Sequence, residues 1–346
     1  MRRILDCFHS AILHRLALSV LFVAFFVVHN AAGAAPIKLG YSPWPGWFPW
    51  QIAAEKGLFK KRGVEVELVW YPDYLASMEA LSKGKIDANS QTLIDALTSA
   101  ASGKRLKVVL VNDNSTGNDQ LIARKEIKSV ADLKGKTVAA EAGTVDHFLL
   151  LVALSKAGLS ANDIRFKNLP TDQAAAEFAK GTLDAVCVFA PHTTTALKSG
   201  IGHVLTSSKE FPGIISDHLV VSEEVVQKRA DEVSKIVGTW FDTLAWMKAN
   251  PAETLQILSK KAEVSEAEYK SYDSGTTLFT LEDNLKAFNV KTNEPVGLYF
   301  TGKQLITYLR DNKFISRAVS LNQILEPKFV EALAKGHGKA KTKSKP

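Results

Sequence analysis

The sequence predicts an α/β fold in two lobes joined by hinge strands and followed by helices. Three observations carry that prediction. Apolar strand runs alternate with helical stretches from residue 37 to about 208, the strand–helix series starts afresh near residue 137, and the chain turns mainly helical after Ser222. A length of 346 residues also exceeds what a single compact core usually holds.

Taken in order, residues 37–42 (IKLGYS) form a short buried strand that enters the loop WPGWFPW at residues 44–50. Pro45 and Pro49 lack amide donors and Gly46 suits a turn, so this loop holds aromatic rings on a stiff frame. Pro49 then opens a helix over 49–63, with Ile52, Ala53, Leu58 and Phe59 inward. Residues 65–71 alternate as a strand, 77–84 are helical, and a short strand lies around 86–88. A helix over 92–103, offered caps by Ser90 and Thr92, leads to the apolar strand 108–113.

The second series begins after the strand 120–125. It runs through a turn at Lys134 and Gly135, a strand at 137–141, a helix at 145–158, a strand at 163–169 and a helix at 171–181. The strand 183–189, a helix at 191–200 and a strand at 203–208 follow. Residues 217–222 lead back out, and the helical segment 230–250 ends at Pro251. Lobe 1 is therefore read as 35–119 with 220–330, and lobe 2 as 120–219.

The ends read differently. Arg2, Arg3 and Arg15 accompany the apolar run of residues 16–28, and Ala32, Gly33 and Ala34 offer a cleavage site, so residues 1–34 read as a secretory signal peptide cut near Ala34. The run is short of the ~20 residues a spanning helix needs. Cys7 falls in this leader, so the mature chain keeps only Cys187, which makes no internal disulfide and reads as a buried strand residue.

The formal net charge of +7 sits at the two ends. Three arginines less Asp6 place +2 in the leader, and five lysines place +5 in residues 335–346. The body is left near neutral, which excludes the basic stripe that nucleic-acid binding requires. The Lys-rich tail, 331–346, lacks apolar periodicity and is expected to be disordered.

Several motifs carry a family resemblance. They are P-x-x-x-A-x-x-K-G-L-F-x-x-x-G-V-x-V-E at 49–67, SVADLKGKTVA at 129–139, KAGL-x-x-x-DI at 156–164 and LPTDQAAAEFAKGTLDA at 169–185. Over residues 37–250 the chain resembles the periplasmic solute-binding proteins of the nitrate, taurine and aliphatic-sulfonate (NitT/TauT) ABC importers. The resemblance implies a two-lobed type II periplasmic binding fold, α/β, that closes over a small ligand without chemistry. It also implies a monomer in the periplasm that delivers its ligand to an ABC permease and ATPase at the inner membrane. No cofactor and no metal are implied, and His147 and His192 lack metal spacing.

In such a fold the ligand meets loops at strand ends and helix N-termini. Seven stretches qualify, namely 42–47, 71–74, 90–92, 112–119, 141–147, 189–192 and 216–218. None holds Lys or Arg, whereas Asp73, Asp113, Glu141, Asp146 and Asp217 all fall in them. Unpaired buried carboxylates are costly, so several around one cleft point to a cationic ligand. Trp44 and Trp47 would offer it aromatic faces, at about 0.5–2 kcal/mol per contact, with Gln91 and Phe189 completing the expected set.

Each charge has a blander reading too. Asp146 suits capping its own helix, Asp113 and Asp119 suit turn-making in NDNSTGND, Asp217 suits fixing the hinge, and Asp73 suits a solvated loop. A planar ion with several N–H donors uses two carboxylates best, which makes guanidine the leading ligand and nitrogen uptake the implied role. The WPGW, NDxSxGND and VDH segments also resemble a subgroup of this family found beside urea- or guanidine-carboxylase systems. The alternatives are a sulfonate or taurine, nitrate, or urea. An enzyme similar to the thiamine-pyrimidine synthases would want a cysteine-rich iron site, and one cysteine does not supply it. Nucleotide-binding glycine motifs are absent.

Overall fold

The structure is a computed structural model that describes residues 35–343, with side chains described to residue 336. Residues 1–34, on which the signal-peptide expectation falls, and residues 344–346 lie outside the described residues. Eleven strands are described: β1 (Ile37–Tyr41), β2 (Val66–Trp70), β3 (Ala88–Thr92), β4 (Leu106–Ser115), β5 (Asp119–Arg124), β6 (Thr137–Ala140), β7 (Arg165–Asn168), β8 (Ala185–Phe189), β9 (Gly202–Ser207), β10 (Ser216–Ser222) and β11 (Thr276–Leu278).

They make two mixed sheets, ordered β11-β4-β10-β3-β1-β2 and β7-β6-β8-β5-β9. In the first sheet β1 is parallel to β2 on one side and β3 on the other. In the second, β6 is parallel to β7 and β8 in the same way. Each arrangement makes a topological switch point beyond the carboxyl end of the central strand, where a crevice opens. The loop after β1 is WPGWFPW, and the loop after β6 holds Glu141. Both sheets therefore aim their first loops at a crevice.

The chain crosses between sheets twice, at residues 116–118 and at 208–215. β10 pairs wholly within the first sheet, against β3 and β4. The return crossing thus falls before Ser216 rather than at residue 219, and Asp217 and His218 belong to the first lobe.

Local chemistry explains the helices that position the site. Pro49 opens the helix Pro49–Glu55. Trp50, fully buried on that helix, donates its indole N–H to Ser90 Oγ at 3.1 Å and packs on Trp240 with ring centroids 4.8 Å apart. Trp240 lies on the helix Ala230–Ala249, which starts with Asp231 and Glu232 against the N-terminal dipole. The C-terminal helices thereby clamp the back of the aromatic loop.

Two expectations give way. The strand expected at 108–113 runs from Leu106 through Ser115, so Asn114 and Ser115 are strand residues and the turn-making stretch of NDNSTGND shrinks to 116–118. Pairing against β10 steps from Asp113 to Val111, which leaves Asn112 as a bulge. Likewise, the segment Lys328–Lys343 is helical where a disordered tail was expected. Phe329 and Val330 are buried and anchor its first turn, and propagation adds one hydrogen bond per residue. No helix among the described residues is long and apolar enough to cross a membrane. Cys187 is buried in β8.

The bulge in β4 depends on Asn284, from the helix Leu281–Phe288. Its Oδ1 accepts the Val111 amide at 2.8 Å, and its Nδ2 donates to the Val111 carbonyl at 3.0 Å. Asn284→Ala leaves both backbone groups buried and unpaired, and urea denaturation is expected to register a loss of about 2–4 kcal/mol. An exposed control such as Lys303→Ala should stay within about 0.5 kcal/mol.

Candidate functional site

Strand register brings the first set of groups together. Across the first sheet, Thr92 of β3 faces Asp217 of β10, which faces Asp113 of β4. Three polar side chains thus stand in one row at the crevice edge. In the second sheet, Asp119 at the start of β5 pairs with Phe189 at the end of β8.

The aromatic loop sits directly on this row. Trp44 Nε1 donates to Asp113 Oδ1 at 3.0 Å, and Tyr269 Oη donates to the Pro45 carbonyl at 3.3 Å. Gly46 is required by packing: a Cβ there would lie 2.0 Å from Asp113 Oδ2. Beyond the row, the Tyr74 hydroxyl donates to Asp95 Oδ2 at 2.7 Å while accepting the Thr92 amide at 3.0 Å. The Thr92 hydroxyl also donates to Asp95, at 2.7 Å.

Four rings close a box. Successive ring centroids are 6.4 Å apart for Trp44–Trp47, 5.3 Å for Trp47–Tyr74, 6.2 Å for Tyr74–Phe189 and 6.2 Å for Phe189–Trp44. With Thr92, Asp119, Asp217, Val145 and Ile215 they line one cavity, and all nine residues are buried. The cavity measures about 10 Å³ over positions open to the centre of a water molecule. That is about the room one water needs, so any larger ligand requires the walls to move apart.

The charge around this space is one-sided. Asp95, Asp113, Asp119, Glu141, Asp146 and Asp217 are all buried, and none joins an ion pair among the described residues. Burial pushes the Asp119 and Glu141 carboxyls up to about 7. It pushes Asp95 to about 6, against hydrogen bonds from Thr92, Tyr74 and the Val145 amide. Asp113, Asp146 and Asp217 are raised by burial as well, and nearby carboxylates add to it. Asp113 and Asp217 sit opposite each other in the β4–β10 register, and the Asp113 charge raises Asp217 further. The nearby histidines do not compensate, because burial lowers His192 to about 4 and His218 to about 3, leaving both neutral.

Hydrogen bonds within the protein leave part of this set unmet. Asp113 Oδ2, Asp119 Oδ2, Asp146 Oδ1 and Asp217 Oδ2 are buried without a partner, as is the donor Trp47 Nε1. No group of three metal-ligating side chains exists among the described residues.

Of the residues expected from sequence, Trp44, Trp47, Phe189 and Asp217 line the cavity, and Asp113 lies behind Trp44. Glu141 and Asp146 share the Thr171 hydroxyl, at 3.3 and 2.6 Å. Neither of these lines the cavity, and two more expected residues, Asp73 and Gln91, lie away from it as well. Asp73 is exposed and caps the helix Tyr74–Ser82 by accepting the Ala76 amide at 3.0 Å. Gln91 neighbours Thr92 in a strand, so its side chain points to the opposite face, where it accepts from Asn89 Nδ2 at 3.3 Å. Sequence reasoning passed over Tyr74, Thr92 and Asp119 as site residues and missed Asp95. The pattern Thr-x-x-Asp at the strand-to-helix junction was the available signal for Asp95.

Comparisons with known proteins follow the same outline. A model of the NMT1-like family matches residues 30–260. A protein of Escherichia coli strain K12 named for binding aliphatic sulfonates is 29% identical over 251 residues, 71% of this chain and 78% of that one. The taurine-binding periplasmic protein of the same strain is 22% identical over 258 residues, 72% and 80% of the two chains. Among solved structures, the alkanesulfonate-binding protein SsuA from Xanthomonas axonopodis pv. citri bound to MOPS matches with a TM-score of 0.73 at 20% identity, covering 86% of this chain and 100% of that one.

Raised carboxyl pKa values have a signed consequence for stability. Between about pH 4 and pH 7 the folded, ligand-free chain binds more protons at these sites than the unfolded chain does, so stability falls as pH rises through that window. Asp119→Asn removes one such charge. At pH 8 the ligand-free variant is expected to be more stable than wild type, by on the order of 2 kcal/mol, and at pH 4.5 nearly equal to it. Urea denaturation at the two pH values checks this.

Proposed function

The chain belongs to the NMT1-like family, and from that premise we propose that it is the periplasmic solute-binding component of an ABC importer whose ligand is a small cation rich in N–H donors. Guanidinium fits best. The protein captures it between the two lobes and hands it, as a monomer, to a membrane permease driven by an ATPase.

One observation carries the choice of a cation. The cavity joins four aromatic rings to the unpartnered oxygens of Asp119 and Asp217, and no lysine or arginine pairs with them. A cation against such rings gains about 0.5–2 kcal/mol per contact when desolvated. Each charge-assisted hydrogen bond contributes roughly 1.5–3 kcal/mol. Guanidinium is planar and has no acceptor to clash with carboxylates, and its four non-hydrogen atoms would need the walls to stand slightly further apart than in the one-water space described.

A second reading has its own support. The relatives are named for sulfonates and taurine, and nitrate belongs to the same class. An anion would need most of the six carboxyls protonated, so its affinity would fall as pH rises. Urea is a third possibility, since its carbonyl would accept from the unpartnered Trp47 Nε1. The pH profile therefore separates the charge types.

Titration calorimetry with guanidinium, urea, taurine and nitrate at pH 6 and pH 8 tests the proposal. Guanidinium is expected to bind about tenfold tighter at pH 8, because Asp119, which lines the cavity, ionises near pH 7. Replacing Trp44 and Trp47 by Ala should cost at least tenfold. Saturable taurine binding that weakens toward pH 8, with no guanidinium binding, would overturn the cation reading.

A further inference from the structure

Resting on the cation reading above, we propose that residues 189–194 form a latch that ties ligand occupancy to lobe closure, with Phe189 as its sensing end and Thr194 as its fastening end. β8 of the second sheet ends at Phe189, whose ring is buried. That ring stands edge-on to Trp44 at 86° and to Tyr74 at 90°, and both of those residues belong to the first lobe. Trp44, Trp47 and Tyr74 form three walls of the box on their own. The fourth wall arrives only when the second lobe does.

Five residues further on, Thr194 Oγ1 lies 2.7 Å from the Tyr272 hydroxyl, a hydrogen bond between the lobes. Tyr272 is buried at the end of the helix Glu266–Tyr272, and its carbonyl accepts from Asn118 Nδ2 at 2.8 Å. Asn118 belongs to the crossing between β4 and β5. One tyrosine thus holds the hinge with its carbonyl and the latch with its hydroxyl. Between the two ends of the latch, His192 packs its ring 5.6 Å from Phe189.

The physical consequence is mutual. With the box empty, Phe189 closes on a space lined by carboxylate oxygens that lack partners. A bound cation supplies those partners, and closure then completes both the wall and the Thr194–Tyr272 bond. Whatever favours the closed form raises affinity by the same factor.

Spin labels on Lys83→Cys in the first lobe and Lys180→Cys in the second report the opening. Both side chains are exposed, whereas Cys187 is buried and escapes labelling. The comparison is between the labelled full mature chain and the same chain with Tyr272→Phe or Phe189→Leu, with and without guanidinium chloride. Tyr272→Phe keeps the ring against Tyr269 and removes only the hydroxyl. It is expected to lower the closed-to-open ratio about threefold to tenfold, the worth of one neutral hydrogen bond, and guanidinium affinity by the same factor. Phe189→Leu is expected to lower the ratio at least fivefold and affinity further, since a ring contact is also lost. Wild-type ratios in both variants would overturn the latch, even if guanidinium binds. A lowered ratio for ligand-free Tyr272→Phe, with no guanidinium binding by wild type, would uphold the latch and overturn the cation reading instead.

Discussion

Burial of six carboxyl groups without a compensating cation is the constraint on which the rest of the site depends. An isolated charge in such surroundings is costly, and the group answers by shifting its pKa or by finding donors. Both answers are present. Trp44 donates to Asp113, Tyr74 and Thr92 donate to Asp95, and Thr171 donates to Asp146. The oxygens that remain without donors define where a ligand would do the most for the protein. The site is therefore a local instability held in place by the surrounding packing, and a suitable ligand relieves it.

The fold supplies that holding force through register rather than through loop contacts alone. Asp113, Asp217 and Thr92 come from three adjacent strands, so their spacing follows from backbone pairing. The Asn112 bulge sets which residue of β4 stands opposite Asp217, and Asn284 holds the neighbouring backbone. On the aromatic side, two prolines and a glycine shape the loop, while Trp50 and Trp240 pin its far end into the core. The first-lobe walls, Trp44, Trp47 and Tyr74, are thereby held in place in advance, which limits the entropy lost on binding.

How much of this was legible in the sequence follows the range of each signal. Strand and helix order came from hydrophobic period, which is local, and the switch-point loops followed from it. Trp44 and Trp47 were visible because prolines beside tryptophan are hard to fit into regular structure. Asp113 and Asp119 looked like turn residues because composition favours turns in NDNSTGND. Only distant pairing partners, β10 for Asp113 and β8 for Asp119, make strand residues of them. Asp73 and Asp146 each lie at a helix start and looked alike. One caps its own helix, whereas the other turns to Thr171 and the buried cluster, a choice set by tertiary packing. Gln91 failed through a one-residue shift along β3, since neighbours in a strand face opposite ways. Asp95 was hidden because a carboxylate in the first turn of a helix has an ordinary local use.

The relatives and the cavity speak to different levels of the same molecule. The fold rests on dozens of buried apolar positions and on two switch points, and the same fold recurs in a solved structure at 20% identity. Ligand charge rests on about six side chains, any of which can change without disturbing the core. Names borne by such distant relatives therefore inform the first level far more than the second. At the second level, the sign of the ligand is constrained by the sign of the groups left unpaired at the bottom of the crevice. Here those groups are carboxylate oxygens and one indole N–H. Burial already favours the protonated carboxyls, so an anion would hold those protons in place, while a cation of modest size would release them. The same four rings line the space beside Asp119 and Asp217, where a π-system can add to the attraction for a cation.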